Sequence, residues 1–294
     1  MTSSLSNLKP LTRLGAISFV NTVPIYSDYQ PMSGMELVYD VPARLNAMML
    51  NGELELSPVS SACYLRNRDK LVLLEDLSVS SPGAVESVLY LSKKPKGPDM
   101  LDMPIISVPN DSETSVMLLA YLLKEATGQD LRRWFRLYDA ADYRQALTET
   151  GNALIIGDNA LMMRESRLAQ GESSDGYYCY DLSTLWKEKT GLPFVFAVWV
   201  ANREWATLNP AALQQINQSL RESRNRFFSD ASTFKQGMQA AMERSRLPKI
   251  TLERYYRHCL TYNLDHDHHV SLERFNAVIQ ASANWEHKLR ECCP

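Results

Sequence analysis

The stretch VESVLYLSKKPKGPDM, residues 85–100, decides how the chain is divided. An apolar run from Val85 to Leu91 stops in lysine, proline and glycine, the composition of a linker. Upstream of it, LGAISFV (14–20), ELVYDV (36–41), LELSPV (54–59) and LVLLEDLSV (71–79) read as strands, with helical patterns between several of them. The helix from Pro42 is well signalled: proline suits the first helical position, ARLNAMMLN keeps helical spacing, and Gly52 can take the left-handed stop. Downstream a second series begins. Strand IISVP (105–109) leads to helix ETSVMLLAYLLKEATG (113–128), strand ALIIG (153–157) to DNALMMRESRL (158–168), and LSTLWKEKTG (182–191) to the long run LPFVFAVWVA (192–201). Such alternation specifies βα units around largely parallel sheets. From Asn209 onwards only amphipathic helical patterns remain, suited to covering the first lobe. The expectation is an α/β protein of two lobes, the second inserted into the first. Residues 1–92 open the first lobe, 93–197 form the second, and 198–294 carry the return crossing and a helical C-terminal part.

A chain of 294 residues exceeds the usual single domain, which favours two lobes. Its 45% hydrophobic and 22% charged residues are those of an ordinary globular protein. A net charge of -3 leaves no basic stripe to neutralise phosphates, so no nucleic-acid partner is expected. The start, MTSSLSNLKPLTRLG, lacks the pattern of a signal peptide, and no apolar run reaches membrane-spanning length. A cytoplasmic protein with no membrane partner is expected. Cys63, Cys179, Cys259, Cys292 and Cys293 lack CxxC spacing, and a reducing compartment would keep them as thiols. All five histidines lie at or beyond position 258, and the cluster DHDHH (265–269) reads as a solvated turn between helices, so no metal is expected. There is no nucleotide fingerprint, P-loop or nucleophile elbow, and no internal repeat of solenoid length.

Two lobes joined by two crossings enclose a cleft, and ligands of open parallel sheets sit beyond the carboxyl ends of the strands. Small polar residues occupy those positions: Asn21 and Thr22 after the first strand, Ser60 and Ser61 after LELSPV, and Ser78, Ser80 and Ser81 after LVLLEDL. In the second lobe PNDSETSVML sets Ser112 where it can cap a helix, with Thr114, Ser115 and first-turn backbone donors facing an anion. Amides and hydroxyls beside helix N-termini make a receptor for carboxylates or hydroxyls without charged side chains. The same residue types are favoured at caps and turns that bind nothing. Their recurrence at strand ends in both lobes is what points to a cleft. Asp158 either enters that cleft or caps a helix, and Trp186, Phe194, Phe196 and Trp199 read as core.

The segments ISFVNTVPIY (17–26), YDVPARLNAMMLNGELELSPVSSACYL (39–65), GAVESVLYLSKKP (83–95), SETSV (112–116), LIIGDNAL (154–161) and WKEKTGLPFVFAVW (186–199) together resemble the chorismate dehydratases of the futalosine route to menaquinone. The resemblance spans nearly the whole chain, and FVNTVP and GLPFVFAVW are its most specific parts. It implies a periplasmic-binding-protein-like fold of the second type. It also implies a reaction in which chorismate loses water to give 3-[(1-carboxyvinyl)oxy]benzoate, with no cofactor. By matching motifs, Asn21 in FVNTVP and Ser87 in GAVES correspond to the family residues implicated in catalysis. Thr22, Ser60, Ser61, Ser80, Ser81, Ser112, Thr114, Ser115 and Asp158 then become substrate-binding candidates.

The resemblance is compatible with substrate-assisted elimination, in which the enolpyruvyl carboxylate of chorismate takes the proton. Around SSPGAVES the chain departs from a DGPV-like turn that is common in the family, and in NDSE it sets two negative charges beside the expected anion site. Glu86 is expected to face away from Ser87, as neighbours on a strand do. A non-catalytic receptor for a small anion and the related naphthoate synthase of the same pathway stand as alternatives. Oligomeric state is not legible.

Overall fold

The computed structural model describes residues 12–95, 97, 105–171 and 175–281. The stretch read above as free of a leader (residues 1–11), most of the lysine- and proline-rich segment after Pro95, Cys292, Cys293 and the last histidine lie outside the described residues.

The first lobe is built on β1 (Thr12–Ile17), β2 (Met35–Asp40), β3 (Leu56–Ser60), β4 (Leu71–Ser81) and β10 (Phe194–Asn202), ordered β2-β1-β3-β10-β4. The second is built on β5 (Val88–Ser92), β6 (Ile106–Pro109), β7 (Phe135–Tyr138), β8 (Asn152–Ile156) and β9 (Tyr178–Asp181), ordered β7-β6-β8-β5-β9. The two orders are one pattern used twice. In each sheet the fourth position belongs to the strand that arrives from the other lobe, and that strand is antiparallel to both neighbours. The sheets are therefore mixed rather than largely parallel, because a strand entering from the far side runs against the βα units already there.

Sheet membership moves both expected lobe boundaries. β5 pairs with β8 and β9, so the chain crosses between Ser81 and Val88 and not after residue 92. β10 pairs with β3 and β4 from Phe194, so the return falls before residue 194 and not at 198. Both arriving strands sit between two neighbours, and every residue of β5 is buried. This is why VLYLS reads as a continuous apolar run with no alternation.

The helices fall close to their sequence signals. α1 (Val23–Tyr26) follows a short 3-10 turn at Val20–Thr22, so β1 ends three residues before LGAISFV does. α2 (Pro42–Leu50) starts on its proline, and Gly52 takes φ +73. α3 (Ser61–Arg66) follows β3 directly. α4 (Glu113–Thr127) stops on left-handed Gly128, α5 (Tyr143–Thr150) precedes β8, α6 (Gly157–Gln170) follows it, and α7 (Leu182–Thr190) leads to the return. Then come α8 (Arg203–Leu208), α9 (Pro210–Ser229), α10 (Ala231–Ser245), α11 (Lys249–Arg254) and α12 (His266–Gln280). α9 and α10 pack on α1, and α12 packs on α3 and β10, so the C-terminal helices do cover the first lobe. No described helix is long and apolar enough to cross a membrane.

Among the helical patterns after Asn209, LERYYRHCLTYNL (252–264) does not form one helix. After α11 the chain makes a π-helical turn at Tyr255–Cys259 and then extends, so that Thr261 pairs with Ser80 along the edge of β4. In DHDHH, Asp265 and His268 form a capping box at the start of α12. Trp186, Phe194 and Phe275 meet edge to face in the core, and Trp199 Nε1 donates to Tyr26 Oη at 2.8 Å. Phe196 is the exception among the four aromatics read as core, for it lines the cleft.

Gly15 illustrates how closely β1 packs. A Cβ there would lie 2.3 Å from Ser57 Oγ on β3 and 3.1 Å from Leu45 Cδ2 on α2. Gly15→Ala is expected to cost about 1–3 kcal/mol in denaturant unfolding, the usual penalty of overpacking, and Ser57→Ala in the same chain should return part of that loss.

Candidate active site

The cleft lies where the two sheets face each other, with an empty volume of about 640 Å³ including its mouth. That is within the range of small-molecule sites. Its lining comes from the carboxyl ends of the parallel strands (Ile17 of β1, Ser60 of β3, Ile156 of β8) and from the leading halves of the arriving strands, Val88 of β5 with Phe196 and Ala197 of β10. Helix starts complete it: Pro42 opens α2, Ser112 to Ser115 open α4, and Gly157 opens α6. Each presents the positive end of a helix dipole, favouring an anion by about 0.3–1 kcal/mol per terminus, more where partly buried, although Pro42 has no N–H and the Gly157 amide is spent on the Ser87 carbonyl.

Of the residues singled out in the sequence, Asn21, Ser60, Ser87, Ser112, Thr114 and Ser115 share this one crevice. Asn21 stands on the 3-10 turn beyond β1, its backbone carbonyl held by the Tyr262 hydroxyl at 2.8 Å. Its Oδ1 is buried with no hydrogen-bond partner in the protein, so the amide retains capacity for a ligand. Ser60 caps α3, accepting from Cys63 N at 3.2 Å. The Asn46 side chain clasps it twice, Nδ2 to Ser60 Oγ and Ser60 N to Oδ1, each at 3.0 Å. Ser112 holds the N-cap position of α4 but makes no side-chain capping bond, contrary to expectation. Ser87 is buried on the crossing, where Tyr255 donates its hydroxyl hydrogen to Ser87 Oγ at 2.8 Å.

Five candidates do not line the cleft, and in each case another partner has claimed the side chain. Thr22 Oγ1 donates to the Ile17 carbonyl at 2.8 Å, completing the turn out of β1. Ser61 Oγ meets Thr114 Oγ1 at 3.4 Å. Ser80 Oγ pairs with Ser78 Oγ at 2.7 Å on the strand edge covered by residues 261–263, and Ser81 Oγ closes a turn onto Gly83. Asp158 neither enters the cleft nor caps α6, whose N-cap is Ile156; its Oδ1 accepts the Val20 amide at 3.2 Å. Four contacts that join the lobes are Asp158 to Val20, Thr114 to Ser61, Thr114 to Ala62, and Glu113 to Arg66. They hold the cleft closed.

Both acids of NDSE line the cleft. Glu113 is neutralised by its ion pair with Arg66 on α3. Asp111 has a buried, unpartnered Oδ1, and burial raises its carboxyl above the usual range, with Asp139 adding to the effect. Glu86 turns away from the cleft, as expected, to pair with Arg254 at 2.8 Å. Sequence reading missed Asn46 and Tyr255, whereas the two acids of NDSE stand beside the anion site as the sequence set them. Asn46 and Tyr255 lie inside helical patterns, where nothing distinguishes a cleft residue from a packing one. The thiols of Cys63 and Cys259 are pushed up to about 12 by burial and lie unpaired.

Two such sheets closing on a cleft at their strand ends define the two-lobed binding-protein class. The crystal structure of a protein from Archaeoglobus fulgidus matches with TM-score 0.71 and 18% identity, covering 92% of this chain and 97% of that one. The periplasmic aliphatic sulphonate binding protein of Escherichia coli matches with TM-score 0.64 and 15% identity over 94% of each chain. These likenesses define the fold. Within the class, the chain belongs to the menaquinone biosynthesis family, whose model matches residues 12–281. It is 35% identical over 219 residues to the chorismate dehydratase of Thermus thermophilus, covering 72% of this chain and 75% of that protein.

Asp158 supplies a test of the closed geometry. Burial lifts its carboxyl to about 6, against a hydrogen bond from Val20 and the charge of Arg244, which lower it. A carboxyl raised on folding binds its proton more tightly in the native state, so its contribution is full below the unfolded value near 4 and is lost as pH rises through about 6. Asp158→Asn keeps an oxygen for Val20 N and removes that loss. Relative to wild type, its unfolding free energy should rise by roughly 1–3 kcal/mol between pH 4 and pH 7 in denaturant titrations.

Proposed function

We propose that the protein is a chorismate dehydratase, a carbon–oxygen lyase that eliminates water from chorismate to give 3-[(1-carboxyvinyl)oxy]benzoate without a cofactor. One observation carries the reading. In a chain 35% identical to a chorismate dehydratase, the described lining of a closed cleft offers amides, hydroxyls and helix starts, and no lysine or arginine. Chorismate brings two carboxylates and a ring hydroxyl, which such donors suit.

The reaction breaks the bond from the ring to its hydroxyl and the C–H bond on the neighbouring ring carbon that bears the enolpyruvyl ether. The C–H electron pair enters the ring, which becomes aromatic, and the hydroxyl departs with a proton as water. Ser87 is the donor to the departing hydroxyl. Asn21 holds a carboxylate through its amide N–H, or the ring, so that the C–H bond is aligned for proton removal, while its buried, unpartnered Oδ1 can accept from a substrate hydroxyl. The open N-terminus of α4, with Ser115, takes a carboxylate. The enolpyruvyl carboxylate of the substrate serves as the base, and Glu113 is held from that role by its ion pair with Arg66. Fixed donors in a water-poor cleft stabilise the charge that builds in the transition state without reorganising. The substrate is the one partner this reading requires, and it places the reaction in the cytoplasm.

Purified protein incubated with chorismate is expected to yield an aromatic product 18 mass units lighter, seen by chromatography and mass spectrometry. Ser87→Ala and Asn21→Ala should each lower kcat by about 10²–10³, the usual cost of a lost transition-state donor. Tight binding of chorismate without turnover by the wild-type chain would support an anion receptor instead.

A further inference from the structure

We propose that Tyr255 is a positioning residue for Ser87: its hydroxyl fixes Ser87 Oγ as an acceptor and so turns the Ser87 hydrogen into the cleft. The inference rests on the reading of Ser87 as donor to the departing hydroxyl. A serine hydroxyl has one hydrogen to give and two lone pairs to receive. Tyr255 Oη donates to Ser87 Oγ at 2.8 Å, and no other side-chain hydrogen bond holds Ser87 among the described residues. The Ser87 hydrogen is left to point at the empty space that both residues line.

Burial keeps on Tyr255 the hydrogen that this bond requires. Tyr255 is 1% exposed, and burial drives its phenol far above the ordinary value, so it stays protonated. Its hydrogen has Ser87 as its partner, and a donor already receiving a hydrogen bond is a better donor in turn.

The surrounding backbone holds this pair in register. Arg254, one residue before Tyr255, grips Glu86, one residue before Ser87, with Nε and Nη2 at 3.1 and 2.8 Å. Two consecutive residues of the helix thus meet two consecutive residues of the crossing. Glu86 sits at φ +59, which disfavours a side chain, and is kept there by Arg254 and by Asp181 Oδ2, which accepts its amide at 2.7 Å. The Ser87 carbonyl accepts from Gly157 N at 2.8 Å. On the other side, Leu260 N reaches back five residues to the Tyr255 carbonyl at 3.1 Å, the widened turn that often marks a functional site in a helix. A tyrosine serving only as core packing would need none of this.

Tyr255→Phe removes the hydroxyl and keeps the ring. We expect kcat on chorismate to fall about 10- to 100-fold with KM within about threefold, and Ser87→Ala/Tyr255→Phe to be no slower than Ser87→Ala alone. Full kcat in Tyr255→Phe, or additive losses in the double variant, overturns the proposal while leaving the role of Ser87 intact. Full kcat in Ser87→Ala overturns the role of Ser87 itself. Neutron diffraction of the wild-type protein tests the same point without a variant: the Tyr255 hydrogen should lie toward Ser87 Oγ and the Ser87 hydrogen toward the cleft. A Ser87 hydrogen lying toward Tyr255 Oη contradicts it.

Discussion

The crossing from Pro82 to Ser87 belongs to neither sheet, and the site depends on how it is held. It carries no strand ladder of its own, so its backbone groups must find partners elsewhere or remain unsatisfied. The backbone finds them in the second lobe, where Asp181 takes the Glu86 amide and Gly157 donates to the Ser87 carbonyl, and Arg254 and Tyr255 of the C-terminal region hold the two side chains. The segment that links the lobes is thereby turned into a wall of the cleft. Ser87 is fixed at once from the second lobe and from the C-terminal region.

For the proposed dianion the described lining of the cleft offers helix dipoles and neutral donors rather than cations. Lysine or arginine at the wall would bind chorismate and its aromatic product alike. Helix starts and neutral donors bind carboxylates less tightly and can be aimed at the atoms whose charge changes during elimination. Of the two acids at the mouth of α4, Glu113 is answered by Arg66, while Asp111 keeps an unpartnered oxygen and a carboxyl raised by burial. The Glu113 pair also latches the lobes, so neutralising the site and closing it are one interaction.

The architecture was largely legible, because β1, β3, α2 and α4 carry strong local signals: buried apolar runs, Pro42 at a helix start and Gly128 at a helix stop. Two edge strands were not. Phe135–Tyr138 and Tyr178–Asp181 are short and partly exposed, which leaves them neither apolar nor alternating. The lobe boundaries were misplaced because lysine, proline and glycine punctuate the chain after β5, whereas the true crossing at PGAVES has little composition of its own. In the site, residues adjacent to strand ends were found by the logic of the fold. Which of their hydroxyls were free was not, since Ser80 and Thr22 are consumed by contacts that only the folded chain creates. Tyr255 approaches Ser87 across 168 residues of sequence, and no local pattern announces such a meeting.

The central claim is that Asn21, Ser87 and the start of α4 surround one small dianion between the lobes. A crystal structure of Ser87→Ala with chorismate bound tests it most directly. The account places a carboxylate within hydrogen-bond distance of the first-turn amides of α4, the ring against Asn21, and the ring hydroxyl facing residue 87. Chorismate held on an outer face, or in the cleft with its hydroxyl turned away from residue 87, would contradict it.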